Sequence, residues 1–188
     1  MRVTIQRTPR LPGHNARDNE LARMIRVDHA GEHGAVQIYA GQIAVLGHTG
    51  SGETIRKMAA QEQEHLDRFD KLVVEHGVRP TALSPVWSVA GYTLGAVTAL
   101  MGEKAAMACT AAVEEVIDEH YAKQAAALAK DDPENADFKR TIEKFRADEI
   151  AHRDTAIEHG AEQAPAYRLL SESIKAGCRL AIRLSERF

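Results

Sequence analysis

The sequence predicts an all-α bundle, on three observations. Apolar residues recur at alternating steps of three and four through most of the 188 residues. Glycine stops and proline-bearing caps divide that pattern into segments of helical length. No run of strict alternation lies between turn signals to compete as a strand. A composition of 44% apolar and 27% charged residues describes one ordered domain with a single core. The net charge of −3 argues against a dedicated nucleic-acid binder. Two cysteines, Cys109 and Cys178, exclude a disulfide scaffold and a cysteine-rich zinc site, and suit a reducing compartment.

Taken in order, residues 1–17 carry Arg2, Arg7, Arg10 and Arg17, no acid, and prolines at 9 and 12. They lack the apolar run of a signal peptide and read as a flexible basic arm before a folded domain over 18–188. The first helix is expected from about Asn19 to Leu46, closed by the glycine-rich turn 47–52. That turn superficially resembles a phosphate-binding loop, but no strand precedes it and the Lys-Ser/Thr ending is missing. The second helix should close at His76-Gly77. Ser84-Pro85 reads as a cap plus proline and opens a third helix, 85–102. A fourth covers roughly Lys104 to Lys130. Asp132-Pro133 repeats the cap signal for a fifth, ending near Gly160, and Pro165 opens a sixth, 165–188.

The apolar stripes contain polar residues where leucine belongs. The second helix places Ile55, Met58, Glu62, His65, Phe69, Leu72 and His76 on one face. The fifth does the same with Phe138, Ile142, Phe145, Glu149, His152 and Ala156. The first carries Asp28, Glu32 and Tyr39 in its stripe, and the fourth Glu114, Asp118 and Tyr121. A carboxylate buried alone costs several kcal/mol or becomes protonated, and four would repel one another. Cations at the centre make the arrangement tolerable. Four carboxylates and two imidazoles suit two iron or manganese ions better than thiolate-seeking metals. Each Glu-x-x-His puts both side chains on one helix face, within reach of one metal.

An internal repeat makes that reading specific. Thr54-Ile55-x-Lys57-Met58-x-x-x-Glu62-x-x-His65 matches Thr141-Ile142-x-Lys144-Phe145-x-x-x-Glu149-x-x-His152. Glu32 leads by seven to Tyr39-Ala40-Gly41-Gln42, as Glu114 leads by seven to Tyr121-Ala122-Lys123-Gln124. The expectation is a ferritin-like four-helix bundle with added amphipathic and hydrophobic helices, duplicated over about 18–80 and 104–160. Asp28 and Asp118, each four residues from a lone glutamate, are expected to accept the spare ring N–H of a ligand histidine. Tyr39 and Tyr121 are expected in the core with bonded hydroxyls, and His120 near the site. His29 and His33 read as surface or structural residues.

Two segments do not look soluble. From Thr81 to Gly102 there are 22 residues without a charge, of membrane-spanning length, but Pro85, Gly91 and Gly95 make a poor span. A helix lying in a membrane interface or walling an apolar pocket is the preferred reading. In the sixth helix Lys175, Arg179, Arg183 and Arg187 recur every four residues beside Leu169, Leu180 and Phe188. That basic amphipathic pattern reads as membrane-surface binding.

Arg26-Val27-Asp28-His29-Ala30-Gly31-Glu32, Ile38-Tyr39-Ala40-Gly41-Gln42, Ala112-Val113-Glu114-Glu115 and the ending Ala176-Gly177-Cys178-Arg179 through Leu184-Ser185-Glu186-Arg187 closely resemble the demethoxyubiquinone hydroxylase family. The resemblance runs from about residue 20 to the end. It implies that Glu32, Glu62 and His65 bind one iron and Glu114, Glu149 and His152 the other, with Glu62 and Glu149 bridging. It implies a monooxygenase that uses O₂ to hydroxylate the ring of a membrane-embedded prenylated demethoxybenzoquinone. The electron donor it implies is NAD(P)H, for which no dinucleotide fingerprint marks a site. A lipid-binding accessory protein of the quinone-biosynthesis complex is the expected partner, and self-association into a homo-oligomer stays open. The expected location is peripheral, at the cytoplasmic face of a bacterial inner membrane or the matrix face of the mitochondrial one. Iron storage would use the same six ligands, but a soluble shell subunit has little use for the third and sixth helices. A rubrerythrin-like peroxidase would add a four-cysteine iron site. A lipid-binding scaffold with a structural metal is the remaining alternative.

Overall fold

The structure is a computed structural model that describes residues 14–128 and 135–188. These residues form six α-helices and one short 3₁₀ turn, and no strand occurs among them. The helices are α1 (His14–Leu46), α2 (Gly52–Glu75), α3 (Ser84–Leu100), α4 (Glu103–Ala127), α5 (Ala136–Glu158) and α6 (Tyr167–Ser185). The all-α expectation therefore holds for the described residues. α1 begins at His14, so residues 14–17, expected in the arm, are helical; residues 1–13 lie outside the described residues. Asp132-Pro133 also lies outside them, and α5 is helical from Ala136.

Three local signals act as the chain suggested or one step away from it. α2 ends with the Val78 N–H on the Val73 carbonyl and the Gly77 N–H on Val74, with Gly77 at φ +60°. That is the glycine-dependent C-terminal motif in which a left-handed residue satisfies the last carbonyls. At α3 the capping position is Leu83 rather than Ser84. The Ser84 hydroxyl donates back to the Thr81 carbonyl, and Thr81 Oγ1 accepts the Leu83 N–H, so a turn at Thr81 sets the entry. Pro165 stays outside α6, because it follows the 3₁₀ turn at Ala161–Gln163 and a left-handed Ala166 (φ 51°) separates it from the helix start at Tyr167.

α1, α2, α4 and α5 enclose the core, α3 lies along α1, and α6 lies along α4. Two apolar layers fill that core. One gathers Leu46, Ile55, Met58, Ala105, Ala106 and Ala156. The other gathers Ile25, Phe69, Leu72, Tyr121, Ile142 and Phe145. The stripe residues between them, one to two turns from each, are the glutamates and histidines. His76, the last position of the expected α2 stripe, is exposed because the helix has already ended.

α3 approaches α1 backbone to backbone. A Cβ on Gly95 would collide with the Ile38 carbonyl, and one on Gly41 with the Tyr92 carbonyl. Glycine on both helices permits this contact, as small residues do wherever helices pack closely without large side chains. α3 is 17 residues long, roughly 25 Å at the helical rise per residue, short of a hydrocarbon core of about 30 Å. No helix among the described residues is long and apolar enough to cross a membrane.

Candidate metal centre

Glu32 comes from α1, Glu62 and His65 from α2, Glu114 from α4, and Glu149 and His152 from α5. None is more than 2% exposed. Their side chains form two groups, Glu32, Glu62, His65 and Glu149, and Glu62, Glu114, Glu149 and His152. Within each group one ligand-capable atom per residue lies within 4.8 Å of the others. Glu62 and Glu149 belong to both. His65 Nδ1 stands 3.1 Å from Glu149 Oε1 and 3.5 Å from Glu32 Oε2, and His152 Nδ1 stands 2.9 Å from Glu62 Oε1. The structure thus brings together all six residues singled out by the stripes, with two carboxylates in shared positions.

The unsatisfied atoms coincide with the donors a metal pair needs. Both oxygens of Glu62 and Glu149, one oxygen each of Glu32 and Glu114, and Nδ1 of both histidines are buried and, despite these short approaches, none is aligned to make a hydrogen bond. Native interiors leave few polar atoms in that condition, and each calls for an explanation. Eight such atoms facing one another are accounted for if cations sit among them. Hard carboxylate oxygens with borderline imidazole nitrogens fit iron or manganese, and no thiol is near enough to favour a softer ion.

Burial and crowding together shift the proton affinities of these groups. Burial pushes Glu62 and Glu114 well above the usual carboxylate range, and the Glu149 charge adds to it. Burial likewise raises Glu149, to about 6, against the pull of His65. Burial alone would lower His65, but the Glu149 and Glu32 carboxylates outweigh it and lift the imidazole to about 11. The metal-free centre therefore retains protons, which a bound cation would displace.

The outer partners differ from those expected. His65 Nε2 meets Asp148 Oδ2 at 3.2 Å, and His152 Nε2 meets Gln61 Oε1 at 3.0 Å. Neither Asp28 nor Asp118 takes that part. Asp118 is half-buried and paired with Arg146 at 2.6 Å and Arg153 at 3.6 Å, because one turn beyond Glu114 the α4 face has rotated toward α5's cationic edge. Asp28 is buried, as expected, but accepts from the non-ligand His120 at 2.9 Å and from the Gln124 amide at 2.7 Å. Asp148 and Gln61 each precede the glutamate of a Glu-x-x-His. Each reaches the histidine of the opposite helix, a contact that no spacing along one helix reveals.

The tyrosines hold the lone glutamates crosswise. Tyr39 on α1 donates to Glu114 on α4 at 2.8 Å, and Tyr121 on α4 donates to Glu32 on α1. Burial raises both phenols well above their ordinary range. The glutamines three residues on cross the same way. Gln42 donates to Thr110 at 3.2 Å, and Gln124 donates to Asp28. The Phe145 ring stacks on His65 at 3.9 Å between centroids, with Met58 against the Tyr39 hydroxyl in the corresponding place. His29 and His33 bond Asp70 and Ser88 on their own sides of the protein, a structural use.

Outside the centre, α3 shows water an uncharged face. Val86, Val89, Val97, Leu100 and Met101 are exposed, and the first three line a shallow apolar groove with Pro85, Ala90 and Thr93. The basic row of α6 divides. Lys175 and Arg179 turn inward onto Glu115 at 2.7 Å and Glu119 at 3.3 Å of α4, while Arg183 and Arg187 are exposed near Leu180 and Phe188.

The ubiquinone biosynthesis protein COQ7 family model matches residues 19–185. A Mus musculus protein named NADPH-dependent 3-demethoxyubiquinone 3-hydroxylase, mitochondrial, is 55% identical over 167 residues, covering 88% of this chain and 77% of that protein. A Rhodospirillum rubrum 3-demethoxyubiquinol 3-hydroxylase is 54% identical over 179 residues, covering 95% and 83%. A Saccharomyces cerevisiae 5-demethoxyubiquinone hydroxylase, mitochondrial, is 41% identical over 181 residues, covering 89% and 78%.

Proposed function

This chain belongs to the COQ7 family of ubiquinone biosynthesis proteins, and from that premise we propose how its buried centre carries out the family's reaction. The enzyme is an oxidoreductase that hydroxylates the ring of a demethoxyubiquinone in ubiquinone biosynthesis. The two donor groups that share Glu62 and Glu149 carry the mechanistic reading. Glu32, Glu62 and His65 would hold one iron, Glu114, Glu149 and His152 the other, and Glu62 and Glu149 would serve both. When bound, the pair of irons supplies the redox chemistry that activates O₂.

With a reduced nicotinamide as donor, the reaction consumes a ring C–H, O₂, a hydride equivalent and one proton. It yields C–OH, water and oxidised nicotinamide. The protein's part is to keep the ligand imidazoles oriented through Asp148 and Gln61 and to anchor Glu32 and Glu114 through Tyr121 and Tyr39. The apolar layers on either side exclude water from the reacting atoms. The crossed Tyr and Gln contacts support a ferritin-like bundle formed by duplication, each half bracing the lone glutamate of the other.

The uncharged face of α3 and the exposed end of α6 support peripheral attachment to a membrane holding the prenylated quinone. The mitochondrial names of several relatives favour the inner mitochondrial membrane, or its bacterial counterpart, as the location. A lipid-binding accessory protein would meet the same apolar face.

The test is direct. Protein loaded anaerobically should hold two irons per chain, and the reduced form given O₂ and a short-chain demethoxyquinone should release the hydroxylated product. Iron taken up far beyond two per chain without quinone product would replace this reading with storage.

A further inference from the structure

A polar chain runs from solvent as far as Asp28, one turn from Glu32, and among the described residues the Glu114 side has no equivalent. Asp28 is buried one turn before Glu32 on the same face of α1. Its Oδ1 lies 2.9 Å from His120 Nε2 and 2.7 Å from the Gln124 amide nitrogen, which is itself 2.9 Å from His120 Nε2. The other oxygen, Oδ2, is buried without a partner. His120 is partly exposed and lines a pocket of about 240 Å³ with Glu20, Arg23, Lys123 and Glu186. Along the matching sequence of the other half, Asp28 corresponds to Thr110, Gln124 to Gln42 and His120 to Ile38. There Gln42 bonds the Thr110 hydroxyl, and Ile38 seals the exit as a buried residue packed with Cys109 and Ile174.

We propose that His120 and Asp28 form the proton-entry route of the centre, carrying the proton that oxygen reduction consumes from the pocket to the Glu32 side. His120 takes a proton from water in the pocket on Nδ1 and gives one from Nε2 to Asp28 Oδ1. Asp28 then releases a proton toward the centre from its carboxyl, whose Oδ2 is free of protein bonds. No electrons move in these steps, and the proton lost from the pocket is the one required by the balanced hydroxylation.

Gln124 suits this use. Its amide donates to Asp28 Oδ1 whether the shared proton lies on His120 Nε2 or on Asp28, so the oxygen that takes the proton stays in place through the hand-off. The charged groups facing His120 are Asp28 and the Arg23 and Glu20 side chains from α1, Lys123 from α4 and Glu186 beyond α6. The rival exit, His65 to Asp148, would require a ligand imidazole to give up its second proton, a costly step for a histidine already engaged through Nδ1.

The proposal rests on the two-metal reading, and its test separates the two. His120→Ala, partly exposed and outside the core layers, should keep two irons per chain and lose turnover by about 10²-fold, the scale of a missing proton-transfer group. Added imidazole should restore much of it, and the solvent deuterium isotope effect on turnover should rise. Asp28→Asn should lose turnover similarly without imidazole rescue. In the metal-free protein, Asp28→Asn should move the NMR titration of the His120 ring, a readout independent of turnover. Wild-type turnover in His120→Ala with normal iron content overturns the relay alone. Loss of turnover without imidazole response or isotope effect overturns it as well, in favour of packing. Failure of the unaltered protein to hold two irons removes the two-metal reading instead.

Discussion

The two donor groups of the centre are alike in their ligands and unlike in what surrounds them. Each has a lone glutamate held by a tyrosine from the opposite half, and each has a Glu-x-x-His sharing its glutamate with the other. Beyond that ring they diverge. His65 is steadied by a carboxylate and His152 by an amide, and the Glu32 side opens through Asp28 and His120 while the Glu114 side is closed by Thr110 and Ile38. The difference teaches that the donor set is matched on the two sides, as the proposed metal pair would require. The surroundings are not matched, and the proposed proton route needs only one of them.

The largest effect should come from the shared positions. Glu62→Ala or Glu149→Ala removes a donor from both groups at once and should bring turnover to background, with neither iron retained and helicity by circular dichroism largely intact. Glu32→Ala and Glu114→Ala remove a donor from one group each and should leave one iron per chain. Wild-type activity in either shared-position variant would break the bridging assignment.

Next come the histidine partners. Asp148→Ala should weaken metal binding about 10- to 100-fold. Gln61→Ala should weaken it less, because a neutral amide raises imidazole basicity less than a carboxylate does. Metal competition titrations measure both, and equal losses would make the two sides equivalent after all.

Acidity offers a smaller, global readout. Glu149 is raised to about 6 and His65 to about 11, so the folded metal-free protein binds more protons than the unfolded chain at intermediate pH. Its stability should fall as pH rises, from about 4.5 through 6 for Glu149 and from about 6.5 toward 11 for His65. Iron displaces those protons, so the loaded protein should lose this slope in denaturant titrations at successive pH values.

The smallest effect belongs to the outer face. Neutralising Arg183 and Arg187 should weaken flotation with anionic vesicles by about 1 kcal/mol per charge. Neutralising Arg179 should do less, since it is already engaged with Glu119. An equal effect from Arg179 would show that its bond to Glu119 is surrendered at the membrane.

Much of the fold and centre was legible beforehand for a definite reason. A helix fixes the direction of each side chain by its place in a 3.6-residue period, so Glu62 and His65 announce a shared face without any knowledge of neighbours. The crossing contacts were not legible, because they join residues 68 to 96 apart. Asp118 shows the limit. Its spacing from Glu114 suggested a role at the centre, yet a small rotation along α4 turned it onto Arg146 and Arg153. The basic row of α6 shows the same limit at the surface, where two of its four cations turn inward.

The sequence by itself determined the helices, the six metal-ligand candidates and their pairing within each half, since periodicity and repeated spacing are properties of one chain segment at a time. Only the tertiary structure decided which neighbours steady the histidines and which half carries the Asp28–His120 chain. Those depend on how faces from different helices meet, and packing sets that meeting rather than any spacing along the chain.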